Sequence, residues 1–169
     1  MAEFEWRKEF ELGNERMDGT HKEFVSLVDG LLTAADAEFP ALYDEFIRHT
    51  EAHFAEELKS MHACGFPPIH CHEGEHARVL EVALDVQKKI AAGDVEMGRV
   101  LARELPGWFA LHAATMDTAL AEWLRRDPGM NIDAEVFAGL CAVESESSEA
   151  ESCADGGDCG GTGRCASNG

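Results

Sequence analysis

Histidines and carboxylates recur along this chain at helical spacing. His53 is followed four residues later by Glu57, and His72 by His76 at the same interval, on either side of the turn sequence GFPP. Residues four apart on an α-helix share a face, with Cβ atoms about 5–6 Å apart, so each pair can offer two donor atoms to one point. Imidazole with carboxylate is a donor set for a transition-metal ion. His112 and Asp117 are five apart, about 140° around an ideal helix that turns roughly 100° per residue, so they would bracket a site with the carboxylate approaching from the side. His21, beside Phe24 and Val25, adds one further imidazole. Each piece alone also fits a surface pair or a satisfied core residue. One such set on every predicted helix points instead to a shared metal centre.

The elements that must position these side chains read as helices. A first helix, with Asp18 as a candidate N-cap, carries Phe24, Val28, Leu31 and Leu32 near one face and ends before Pro40. A second runs from there to Gly65, where glycine followed by FPP supplies a stop. A third spans from about Ile69 to Gly93. Asp94 caps a fourth that reaches AEWLRRD before Pro128, with Pro106 expected to kink or divide it. No segment shows the alternation of a strand. Four helices with short connections predict an all-α, up-down-up-down four-helix bundle. A short further helix is expected from about Asp133. Residues 144–169, rich in acidic residues, glycine and serine with no large apolar side chain, are expected to form a disordered tail, leaving a domain over 1–143.

Composition narrows the function. A formal net charge of −19 would repel phosphate backbones and anionic lipid, and no local basic patch offsets it, so neither nucleic acid nor membrane is an expected partner. The beginning of the chain carries charges throughout with no apolar h-region, which predicts a cytoplasmic protein. Cys64 and Cys71 flank the turn between the second and third helices and are expected as two reduced structural thiols. Cys153, Cys159 and Cys165 repeat every six residues, a spacing unlike zinc motifs. His49, His62 and His70 fall outside the donor pattern and are expected at the surface.

The stretches MDGTHKEF, HFAEELKSM with the following GFP and the two histidines His72 and His76, and WFALHAATMD resemble the hemerythrin family in order, spacing and flanking residues across roughly residues 4–126. That resemblance implies a four-helix bundle around a non-haem di-iron centre that binds O₂ reversibly. Carried over, it implies that His72, His76 and His112 hold one iron and His21 and His53 the other, with Glu57, Asp117 and an oxide or hydroxide bridging both. Two octahedral irons offer twelve positions, and this set occupies all but one, on the iron with two imidazoles. Phe54, Trp6, Trp108 and Phe109 read first as core packing, and the resemblance further implies an apolar pocket wall drawn from Phe54, Trp108, Phe109 and Ala113. Phe109 stands where leucine is common in the family and Ala113 where isoleucine is common.

The expectation is therefore an oxygen-binding protein for storage, delivery or scavenging, not an enzyme. A di-iron oxidoreductase acting on peroxide or nitric oxide is the alternative, as is an oxygen or iron sensor signalling through the cysteine-containing tail. A ferritin-like oxidase centre would instead need four carboxylates and Glu-x-x-His motifs, which are absent in the required places.

Overall fold

The computed structural model describes residues 2–126. Helix α1 spans Glu15–Thr33, α2 Phe39–Cys64, α3 Ile69–Ala91 and α4 Val95–His112; a π-helical turn, Ala113–Asp117, joins α4 to α5, Thr118–Leu124. Neighbours in sequence pack side by side, and α1 closes the ring against α4, giving the expected four-helix bundle with α4, the π turn and α5 as its fourth rod. The expected short helix near Asp133 and the expected tail lie outside the described residues.

Local signals explain most of the boundaries. Gly65, at φ 63°, adopts the left-handed conformation that ends α2, and the Phe66 N–H reaches back to the Met61 carbonyl. Asp94 caps α4 through the Met97 N–H. Asp18 does not cap α1: Asn14 does, accepting from Arg16 N and Met17 N. The Asp18 carboxylate instead takes the N–H groups of Leu12 and Gly13, at 2.7 and 3.1 Å, and fastens the preceding loop onto the helix. A second aspartate, Asp29, accepts from Glu3 N and Phe4 N at 2.6 and 3.0 Å. It holds Phe4 where that ring and Phe10 both meet Phe109 edge-on. Pro106 neither stops nor divides α4, which continues to His112; the departure from α geometry falls at the π turn.

The apolar core has two parts. One contains Phe24, Val28, Leu31, Phe39, Tyr43, Phe46, Val86, Ile90, Leu105 and Phe109 with their neighbours. The other contains Met17, Met61, Phe66 and Leu120 with their neighbours. On each of the four rods the candidate metal donors fall between the two. His21 follows Met17 and precedes Phe24; His53 and Glu57 lie between Ile47 and Met61; His72 and His76 lie between Ile69 and Ala83; His112 and Asp117 lie between Phe109 and Leu120. Cys64 is a free thiol as expected. Cys71, half-buried on the first turn of α3, is disulfide-bonded, which corrects the expectation of two reduced thiols.

Candidate metal centre

All seven predicted donors are buried: His21, His53, Glu57, His72, His76, His112 and Asp117. Burying so many ionisable groups in one layer is costly unless they are paired or bind metal. Their donor atoms fall into two groups that share one carboxylate. Glu57, His72, His76, His112 and Asp117 converge on one point; His21, His53 and Glu57 converge on another. Asp117 also approaches the second group, with Oδ2 3.4 Å from His21 Nε2.

Distances within the larger group test whether these residues suit a metal. His112 Nε2 lies 3.1 Å from His72 Nε2 and 2.9 Å from His76 Nε2. Donors about 2.1 Å from a common ion and 90° apart would be separated by about 3.0 Å, whereas a tetrahedral arrangement would spread them to about 3.4 Å. The observed spacing fits adjacent corners of an octahedron. Three imidazole nitrogens drawn this close cannot all be satisfied by one another, because a pair shares at most one proton. A cation resolves the conflict.

The carboxylates show the same aim. Glu57 oxygens lie 3.1 Å from His53 Nε2, 3.4 Å from His72 Nε2 and 3.7 Å from His21 Nε2. Neither Glu57 oxygen nor either Asp117 oxygen makes a hydrogen bond of regular geometry. Lone pairs that pass beside nearby donors are directed at a common point, as ligands are. Burial raises the Glu57 carboxyl, but the imidazoles of His21, His53 and His72 outweigh it and hold the group well below the usual carboxylate range. Asp117 is likewise held low, against burial and the charge of Glu57, by His112 and His72. Burial pulls His72 down, yet its contacts with Asp117 and Glu57 lift it to about 9. His76 is pushed to about 2 by burial and by the adjacent His72 and His112. One imidazole thus takes a proton while its neighbour refuses one.

His112 and Asp117 come together through the π turn. The Thr118 N–H bonds to the Ala113 carbonyl, an i→i+5 contact. Residues five apart are then one turn apart, and His112 Nε2 stands 3.2 Å from Asp117 Oδ1. The expected sideways approach of Asp117 is replaced by stacking on the same face.

Three of the four predicted pocket residues lie against candidate donors. Phe54 stacks on His76 with centroids 3.7 Å apart and planes at 5°. Trp108 stacks on His112 at 4.8 Å, and Phe109 meets His21 edge-on at 5.3 Å. Ala113, next in sequence after His112, is buried in the larger apolar cluster. Two contributors escaped the sequence reading as site residues. Phe24, three residues after His21 on the inward face, stacks on Phe109 at 5.2 Å and lies near Trp108. Glu75, directly before His76, accepts the Trp108 indole N–H at 2.8 Å and so fixes the ring that covers His112. His62 and His70 are exposed as expected; His49 is mostly buried, its ring 6.1 Å from that of His53, because it lies one turn before His53 on the inward stripe of α2.

Comparison with known proteins agrees with this geometry. The family model for the Hemerythrin HHE cation binding domain matches residues 12–124. A bacteriohemerythrin of Ralstonia nicotianae is 42% identical over 124 residues, covering 73% of this chain and 90% of that protein. A bacteriohemerythrin of Methylococcus capsulatus is 28% identical over 104 residues, covering 59% and 79%. Crystal structures of hemerythrin carrying leucine-to-alanine and leucine-to-tyrosine substitutions each superpose with a TM-score of 0.69 at 27% identity, over 75% of this chain and 100% of theirs. Among the described residues no helix is long and apolar enough to cross a membrane. A four-helix bundle whose buried histidines, glutamate and aspartate fit a non-haem di-iron site, matched by the family model over more than half its length, belongs to the hemerythrin family of HHE cation-binding domains.

Proposed function

We propose that this chain binds O₂ reversibly at a non-haem di-iron centre, for storage, delivery or scavenging, and is a binding protein and not an enzyme. The observation that carries the reading is the unequal division of the donors: three imidazoles converge on one point and two on the other, with Glu57 shared. His72, His76 and His112 would hold one iron, and His21 and His53 the other. Glu57 and Asp117 would bridge them, with an oxide or hydroxide between. The iron pair, when bound, supplies the electrons that a reversible O₂ complex requires. Fewer protein donors on the second iron leave room there for a small ligand.

This chain's own residues would do the rest. Phe109 and Phe24 present aromatic surface beside His21, and Phe54 and Trp108 cover His76 and His112. Such a wall limits access of water and protons to a bound ligand, which disfavours irreversible oxidation. Glu75 keeps Trp108 in place. We place the metal-binding unit in residues 1–143, since all seven proposed donors lie between His21 and Asp117, and expect it in the cytoplasm.

The test is anaerobic loading with Fe(II), then exposure to air while the visible spectrum is recorded. Two irons per chain are expected, with a band that appears in air, fades on degassing and returns. Oxidation that is complete and irreversible in a single exposure would overturn the carrier reading. Turnover of peroxide or nitric oxide with an electron donor would replace it with the oxidoreductase.

A further inference from the structure

Apart from the apolar wall, one cavity of about 770 Å³ reaches the centre, between α1 and α2. Its lining contains two candidate metal donors, His53 and Glu57. They are also the most exposed imidazole and the more exposed carboxylate of the seven, at 8% and 6%.

The cavity wall has an ordered chemistry. Glu45, His49, His53 and Glu57 all line it and follow one another at intervals of four, so they form a single stripe on α2. Glu45 is exposed, His49 is mostly buried, and Glu57 is buried at the inner end with both oxygens lacking a regular hydrogen bond. Across the cavity, Glu23 of α1 has a carboxylate oxygen 4.0 Å from His49 Nε2, and that nitrogen is buried with no hydrogen-bond partner. Two arginines share the lining. Arg16 is engaged by Glu56, so Arg48 alone opposes the charge of Glu23, Glu45 and Glu57.

We propose that this cavity is the route by which divalent metal ions reach and leave the centre, with Glu23 and Glu45 drawing the cation in and His49 handing it to His53 and Glu57. The proposal rests on the metal-centre reading. Each station offers an oxygen or imidazole nitrogen, so an ion exchanges water for protein donors stepwise along the α2 stripe, past the apolar Met17, Leu27 and Ala52 that complete the lining. The carboxylates at the mouth raise the local cation concentration. Along the remaining sides of the centre the donors are backed by Phe54, Trp108, Phe109 and Phe24, which give a hydrated cation no partner.

Co(II) uptake by the full metal-free chain tests this, because its visible absorption reports occupancy without O₂ chemistry. Stopped-flow mixing gives the rate, and elemental analysis of the desalted product gives the number of ions. The Glu23→Gln/Glu45→Gln variant removes two exposed charges and is expected to load about tenfold more slowly at low salt, with the difference shrinking as salt screens it. Its final count should stay at the wild-type value. Glu104→Gln/Glu122→Gln, which alters net charge equally on α4 and α5, should load at the wild-type rate. His49→Leu keeps bulk but removes the nitrogen, and should slow both loading and chelator-driven release at every salt concentration. Wild-type rates in the groove variants, with full loading, would overturn the route and leave the centre standing. A wild-type chain that takes up no Co(II) would overturn the centre and the route together.

Discussion

His112 Nε2 lies 3.2 Å from Asp117 Oδ1 although the two residues are five apart, a spacing that α geometry would place on different faces. The π turn supplies the one extra residue that the register needs. Deleting Ala114, which is exposed, should restore a plain α-helix in which His112 and Asp117 are four apart and still share a face. That variant is expected to fold and to hold two metal ions. Inserting one alanine after Ala114 should turn Asp117 away by about 100° and lower the count below two at unchanged helicity. Circular dichroism with elemental analysis of both variants decides the matter; retained loading in the insertion variant would refute the alignment argument.

Glu57 separates a shared metal bridge from an ordinary i,i+4 pair with His53. As a surface pair, its replacement by glutamine would cost only a few tenths of a kcal/mol. Because it is buried and common to both donor groups, Glu57→Gln should load fewer than two irons and lose the reversible band in air, while remaining helical. Two tightly held irons in that variant would remove Glu57 from the centre.

The metal-free chain should be most stable near pH 6.5. His72 is held up at about 9, so between 6.5 and 9 the folded chain keeps a proton that the unfolded chain has lost, and stability falls as pH rises through that window. His76 is pushed down to about 2, so below 6.5 the unfolded chain gains a proton that the folded chain refuses, and stability falls as pH falls. Glu57 and Asp117, both held low, add to the acid side below their ordinary range. Metal should abolish the alkaline decline, since the His72 nitrogen then holds an ion instead of a proton. Thermal melts of both forms from pH 5 to 9.5 would show it; a metal-free melting temperature that rises steadily to pH 9 would contradict the His72 assignment.

Much of the site was legible because imidazole is rarely chosen for filling a core, and the intervals from His53 to Glu57 and from His72 to His76 are both helical. The fold was legible for a related reason: Gly65, Asp94 and Gly93 punctuate the helices where their conformations or side chains require. Other features depended on tertiary context. Asp18 satisfies the cap criterion as well as Asn14 does, and only the path of the preceding loop decides between them. A π turn has no residue signature, so Asp117 was expected at the side. Phe24 could have been found as the residue one turn beyond His21. Glu75 could not, because its partner Trp108 is on another helix.

Phe109 joins the centre to the apolar core, touching His21 on one side and Phe4, Phe10 and Phe24 on others. Phe109→Ala should cost about 3–5 kcal/mol of stability. It should also speed irreversible oxidation of the iron-loaded form, because the space it leaves adjoins His21. Denaturant melts and the decay of the air-induced band measure the two effects. An unchanged decay would exclude Phe109 from the ligand pocket.

Gly98 provides a contrast remote from the metal. A Cβ there would lie 2.5 Å from Phe39 Cε1 and 2.7 Å from Ile90 Cδ1. Gly98→Ala should therefore destabilise the bundle by about 1–3 kcal/mol, despite alanine's higher helix propensity, and leave the metal count unchanged. A melting temperature at or above wild type would show that Phe39 and Ile90 yield easily.

The two apolar clusters, one on each side of the buried donors, set how the bundle comes apart. With ions in place, each of the four rods would be tied to the others at the same level, between the cluster of Phe39 and that of Phe66. Without them, the layer between the clusters is held only by imidazole–carboxylate pairs such as His72 with Asp117, while His76 is crowded by His72 and His112. Each end can then melt on its own terms, and calorimetry of the stripped chain should give a van't Hoff enthalpy well below the calorimetric one. If the buried donors hold metal as proposed, the bound ions would join the two clusters into one cooperative unit, and the metal-free chain would be the more readily cleaved by protease.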